Sequence, residues 1–330
     1  MPNIPYHASN FGRYQGRSLQ GSNNLSVSWP DIIWASISVG KLDLADVFGH
    51  HVFSFREHQM KYYLIYGNLM QCSGTICKTS LYNSLDATEK GFISYFIGMM
   101  CAKLVSTFLL RVPWLIHLEK YKMYYNNLGL VGKRYPDLIG LDRRGDWVVI
   151  EAKGRTNAFS QNAMNNAKQQ TRALRHISGR FPSLRVATES YFDSCQPSAL
   201  SIQVCDPDDY DEQAEDVPID IGQMMKIYYK PFSIPPDIPA RPVEVRNRTF
   251  LVWDDEEFGV SIGIDKAILK SATLMDSPEN YSYILTQEID TVVEIEEHNL
   301  RLYPDGIVVG CGEQWNEERM RLEPQRRFRT

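Results

Sequence analysis

The sequence predicts an α/β protein, a sheet flanked by helices, with a strand-rich C-terminal extension. Three observations point there. An apolar stretch of helical length covers 91–110, two short apolar runs flank a tight turn at 142–146, and apolar runs recur over 250–264, 284–295 and 302–309. The chain of 330 residues is 43% hydrophobic and 12% aromatic, enough for a full core and too aromatic for an acidic disordered chain.

The elements follow in order. Residues 1–28, rich in Ser, Asn, Gly and Gln, read as a loose arm. Apolar residues return over 29–66, and 62–66 reads as a short strand. Residues 80–110 read as a turn and a long helix, started by Asp86 with Glu89 at capping-box spacing. Only twelve uncharged residues separate Lys90 from Lys103. That is too few to cross a bilayer of roughly 30 Å, so a buried core helix is expected. Residues 114–124 read as a strand, 126–134 as a turn-rich connection and 161–178 as a helix. Eight of the fifteen residues 206–220 are acidic, an exposed loop, and five prolines in 231–242 mark a linker. The division expected is 1–80 as an N-terminal arm and accessory region, 81–206 as the core, and 207–330 as an acidic, strand-rich accessory module.

The formal net charge of −5 hides an asymmetry. Residues 1–102 carry +1, residues 103–185 carry +10 from 15 basic and 5 acidic side chains, and residues 186–330 carry −16. One basic working surface and one acidic module are implied. The six cysteines show no disulfide rhythm, and Cys72 and Cys77 lack a second pair to complete a zinc site. His50, His51 and His58 form only a loose cluster, and no Walker-type phosphate loop occurs. Without a secretory signal, the chain reads as cytoplasmic.

The chemistry concentrates at 133–154. Leu138 to Leu141 and Trp147 to Ile150 read as strands joined by Arg143, Arg144 and Gly145, with glycine at the left-handed position. Asp142 then faces Asp146, which sets Asp137 directly opposite Glu151, with Lys153 two residues on along the same face. Opposed carboxylates repel unless a cation sits between them, and Mg²⁺ takes oxygen ligands from both. Lys153 is placed to orient a metal-bound water or to stabilise charge on a phosphate.

Pro136-Asp137 followed by Glu151-Ala152-Lys153 resembles the PD-(D/E)XK motif of the restriction-endonuclease-like nuclease superfamily. The resemblance covers roughly 87–205. It implies a mixed sheet of about four strands flanked by helices, Mg²⁺ (with Mn²⁺ able to substitute) on Asp137 and Glu151, and Lys153 as the water-activating residue. Many members carry a glutamine on the following helix, and Gln170, facing inward at helical spacing with Ala163, Ala167, Leu174 and Ile177, is similar in placement; a glutamine satisfied at the helix–sheet seam is the other reading. Some members place a further acid on the first helix, where Glu89 stands, although its capping role explains it fully. Tyr303-Pro304-Asp305-Gly306 repeats the Pro-Asp pair without a Glu-x-Lys and reads as a strand-entry turn.

Lys168, Arg172 and Arg175 form a positive stripe, with Arg155 and Arg180 beyond its ends, suited to phosphate contact or simply a solvated face. Arg143 and Arg144 read as turn polarity. The expectation is a Mg²⁺-dependent nuclease acting on DNA rather than RNA, of a kind common in bacterial or phage defence and DNA processing. The acidic module would serve a homodimer, a separate ATPase or helicase partner, or autoinhibition. The competing class is a catalytically inactive nucleic-acid- or protein-binding module of the same fold.

Overall fold

The computed structural model describes residues 1–14, 17–40, 52–124, 135–194, 198–207, 210–211, 214–232, 239–245, 247–273, 278–287 and 289–315. The connection over 126–134 and the His50-His51 pair lie outside them, as do parts of the acidic loop and of the proline-rich linker.

The first strands are β1 (Asn3–Ser9), β2 (Arg13–Tyr14), β3 (Arg17–Ser18), β4 (Gly21–Ser26), β5 (Leu69–Cys72), β6 (Thr75–Lys78), β7 (Trp114–His117), β8 (Leu138–Leu141) and β9 (Trp147–Gly154). They are followed by β10 (Leu174–Ile177), β11 (Leu184–Phe192), β12 (Leu200–Cys205) and β13 (Glu215–Val217). The last group is β14 (Arg241–Val245), β15 (Arg248–Asp255), β16 (Val260–Asp265), β17 (Val293–Ile295), β18 (Leu300–Leu302) and β19 (Ile307–Cys311).

The larger sheet runs β5-β6-β1-β12-β11-β9-β8-β7, with β4 also on β1. It is mixed: β9–β11 and β1–β12 are parallel, whereas β7–β8, β8–β9 and β11–β12 are antiparallel. The second sheet, β14-β15-β16-β19-β18-β17, is antiparallel throughout. An α/β body with a strand-rich C-terminal sheet is therefore the architecture. The Ala87–Leu104 helix, capped by Asp86 and Glu89 as expected, covers one face of β9 and β11. The Gln161–Thr171 helix covers the other, packing Met164 and Ala167 on Ala187 and Cys205. By length and composition 87–109 could cross a membrane, but 72% of its most apolar window is buried inside the protein.

Five segments differ from expectation. The loose arm over 1–28 supplies β1, which lies between β12, β4 and β6 and buries Ile4, Tyr6 and Ala8 at alternate positions. Residues 62–66 belong to the Val52–Asn68 helix, where packing against the Trp29–Ile37 helix overrides the strand preference of the aromatic run. The strand expected over 114–124 stops at His117 and becomes the Leu118–Tyr124 helix. The helix expected over 161–178 ends at Thr171, because Leu174–Ile177 instead pairs with Glu215–Val217 of the acidic segment. Among the described residues of 284–295, only Val293–Ile295 is strand, and Pro278–Leu285 is helical.

The C-terminal sheet is fastened to the rest by buried polar groups. The 303–306 sequence forms the β18–β19 turn, with Gly306 at φ +81°, and delivers Asp305 fully buried into the protein. Its carboxylate accepts from Trp34 Nε1 at 3.0 Å and from the Tyr228 hydroxyl, with the fully buried Lys103 ammonium 3.9 Å away. Arg143, from the β8–β9 turn, donates to the carbonyls of Leu285, Gln287, Ile289 and Pro304. Its role is to hold the C-terminal segment, whereas Arg144 beside it is exposed.

Candidate active site

The β8–β9 hairpin closes as its turn residues dictate. Asp142 N–H donates to Asp146 O at 3.0 Å, and Gly145 takes φ +80°. The pairs Leu141–Trp147, Gly140–Val148, Ile139–Val149 and Leu138–Ile150 follow, so Asp137 and Glu151 meet at the open end. Asp137 N–H donates to Glu151 Oε2 at 2.8 Å, and Ala152 N–H reaches Asp137 Oδ2 at 3.4 Å. Glu151 has no exposed surface.

Lys153 follows on the same face, its ammonium on Glu151 Oε1 and 2.9 Å from Gln170 Oε1. Gln170 Nε2 donates to Tyr135 O at 3.2 Å, and the Tyr135 hydroxyl donates to Glu215 at 2.9 Å. Gln170 thus touches Lys153 and, as the seam reading expects, a backbone carbonyl. Four of the expected residues, Asp137, Glu151, Lys153 and Gln170, are gathered in one chain of contacts.

Electrostatics at this point are costly for the isolated protein. Burial, then the neighbouring Asp137 charge, pushes Glu151 up to about 8, with Lys153 opposing. Burial also raises Asp137. When both carboxyls are ionised, the buried Glu151 and the half-buried Asp137 outweigh the one ammonium, and a cation would relieve the excess negative charge. Hard oxygen donors suit Mg²⁺, which ordinarily uses one or two carboxylates and completes its shell with water and phosphate oxygens. Among the described residues no group of three or more His, Cys, Asp or Glu side chains gathers to hold a metal.

The other expected residues sit elsewhere. Glu89 is exposed, and its carboxylate closes the capping box on Asp86 N–H at 3.0 Å. Arg175 lies on β10 and pairs with Asp216 at 3.1 Å, so the acidic segment neutralises it. Arg155 is 3.4 Å from Glu189. Lys168 on the Gln161–Thr171 helix and Arg172 at its C-cap are half-buried and have no ion pair among the described residues.

Three residues escaped the sequence reading. Glu189 pairs in register with Lys153 on β11, is fully buried, and accepts from Ser160 N–H at 2.7 Å. Its second oxygen is buried without a hydrogen-bond partner among the described residues. Tyr95 Oη lies 3.4 Å from His117 Nε2. His117 Nδ1 accepts from Glu119 N–H at 3.2 Å, so Nε2 is the nitrogen left to carry the ring proton toward Tyr95. Burial and the charges of Asp137 and Glu151 push the Tyr95 phenol up to about 12.

The strand bearing Lys153 is pressed from behind by the Ala87–Leu104 helix. A Cβ built on Gly154 would lie 1.7 Å from Ser94 O, so only glycine permits this approach. Gly154→Ala is expected to destabilise the protein by about 1–3 kcal/mol through overpacking. The urea midpoint reads this directly, and an unchanged midpoint would show that helix and strand are not in such contact. Comparison with family models, curated proteins and solved structures returns no match.

Proposed function

We propose that the chain is a Mg²⁺-dependent nuclease with a restriction-endonuclease-like core formed by β7, β8, β9, β11 and the two helices covering them. The observation that carries this reading is the buried Glu151 facing Asp137, with Lys153 and Gln170 on the same side. Asp137 and Glu151 would hold Mg²⁺ (or Mn²⁺), which supplies charge neutralisation at a phosphodiester and makes a water more acidic. Lys153, steadied by Gln170, orients that water and donates to phosphate oxygens as negative charge grows on them. Lys168 and Arg172 suit the flanking phosphates of a nucleic acid, DNA in the first place.

The acidic segment reaches this region through Glu215 and Asp216, which bind Tyr135 and Arg175. That placement favours a regulatory or partner-binding role for it. The second reading is a non-catalytic module, favoured by the Lys153 ammonium, which already neutralises part of the Glu151 charge. Purified protein incubated with plasmid, linear duplex and single strands, with and without Mg²⁺, separates the two; no cleavage of any substrate removes the nuclease reading.

Metal binding also has a pH signature. Below the raised Glu151 value Mg²⁺ must displace a proton, and above it the carboxylate is already ionised. The rise in melting temperature on adding Mg²⁺ is therefore expected to be larger at about pH 8.5 than at about pH 6. Equal rises at both would mean that the ion binds away from Glu151.

A further inference from the structure

The first half of the Ala87–Leu104 helix presents an aromatic stripe to solvent. Phe92 is 52% and Tyr95 38% exposed, and Phe96 is half-buried. The ring centroids of Phe92 and Phe96 are 4.9 Å apart, those of Tyr95 and Phe96 5.7 Å. Spacings of three and four residues put all three on one face of the helix. Grouped exposed rings of this kind mark a binding surface more often than chance exposure.

The stripe is continuous with the carboxylate pair. Tyr95 reaches His117, His117 pairs with Leu138, and Leu118 N–H donates to Asp137 O at 2.8 Å. Tyr95 therefore stands beside Asp137, and Phe96 and Phe92 lead away from it. The opposite face of the sheet carries Lys153 and, on the helix over it, Lys168. A polyanion crossing the end of the hairpin meets ammonium groups of the +10 segment 103–185 on one side and, on the other, the aromatic rings that precede that segment in the chain.

We propose that Phe92, Tyr95 and Phe96 form a stacking platform for unpaired bases, and that the substrate is single-stranded or locally opened nucleic acid. This rests on the nuclease reading and names its substrate class. A closed duplex buries its base faces in its own stack and offers the platform only edges and phosphates. An opened strand turns those faces outward, and rings accept any base because each has a π-face. Tyr95, held by His117, would fix the base next to the phosphate at Asp137.

The test is fluorescence anisotropy of the full chain with a labelled oligothymidine and with a blunt duplex of equal length, Ca²⁺ replacing Mg²⁺. Wild type is expected to bind the single strand more tightly. Phe92→Ala should weaken that binding roughly tenfold and leave duplex affinity unchanged. Phe92→Leu should lose as much, since it keeps apolar surface but no ring, and Phe92→Trp should restore it. Because Phe92 is exposed, these variants fold, and circular dichroism checks it. Single-strand affinity indifferent to Phe92→Ala overturns the proposal. So does sedimentation showing a wild-type dimer that Phe92→Ala dissolves, since the stripe would then bind a second copy. Mg²⁺-dependent cleavage by wild type is read in parallel. Ring-dependent binding without cleavage removes the nuclease reading and keeps the platform; cleavage without ring dependence does the reverse.

Discussion

Glu151→Gln is expected to abolish Mg²⁺-dependent cleavage while leaving a folded and more heat-stable protein. The loss should be at least about 10²–10³-fold, the scale for removing one preorganised charge-stabilising group. Lys153→Ala should lose as much, because Gln170 alone cannot supply an ammonium. Fold survives in Glu151→Gln because the amide keeps the side-chain shape, and its oxygen can still accept from Asp137 N–H. Stability should rise because ionised Glu151 is buried and opposes Asp137. The pH sense is definite. A carboxyl whose folded pKa lies near 8 rather than 4.5 binds its proton more tightly when folded, so the wild type loses stability as pH rises through that interval. The variant lacks this loss, and its advantage should grow from about pH 5 to about pH 8 in metal-free buffer, at about 2–4 °C in melting temperature per kcal/mol. A variant that cleaves normally would dismiss Glu151 as a ligand. One that melts earlier at about pH 8 would show that burial of the charge is not costly here.

That the carboxylate pair could be located from sequence follows from the locality of its cause. Asp142 and Gly145 fix a three-residue turn, the turn fixes the register, and the register carries Asp137 to Glu151. Glu189, Tyr95 and His117 come from three other elements and reach the region by strand pairing and helix placement. Glu189 pairs with Lys153 across 36 residues of chain, and nothing in its neighbours signals this.

The same distinction separates the fold features. The capping box at Asp86 and Glu89 involves four consecutive residues and was readable. Leu174 and Ile177 continue the helical spacing of Ala163 and Ala167, yet they become strand because Glu215–Val217 offers them a partner. Strand β1 was hidden by its polar half: His7 and Ser9 mask the alternation of Ile4, Tyr6 and Ala8 that seats it in the sheet. Likewise both Pro-Asp pairs look alike in sequence. Asp137 is half-buried and donates its N–H to Glu151, whereas Asp305 meets Lys103 where neither has exposed surface.

Lys103→Met is expected to be the most destabilising single change in the protein. Lys103 donates to Pro113 O and, at 2.8 Å, to the Tyr228 hydroxyl, and lies 4.6 Å from the Trp34 ring centroid. Removing it leaves the Asp305 carboxylate buried without its cation, a loss of about 3–5 kcal/mol. Asp305→Asn should be milder, because burial has already brought Lys103 down to about 8 and the ammonium can shed its proton. Without Asp305 that value falls further, so the folded state binds fewer protons than the unfolded one. The urea midpoint of Asp305→Asn should then rise between about pH 7 and about pH 9. The double change Lys103→Met with Asp305→Leu removes both charges together and should recover part of the single-variant loss. Since Trp34, Lys103, Tyr228 and Asp305 come from four separate elements, the lost cooperativity should be global, with both sheets melting at one lower midpoint. If Lys103→Met shifts the midpoint by less than about 0.5 kcal/mol, the buried pair is not what fastens the C-terminal sheet, and the Arg143 contacts carry it instead.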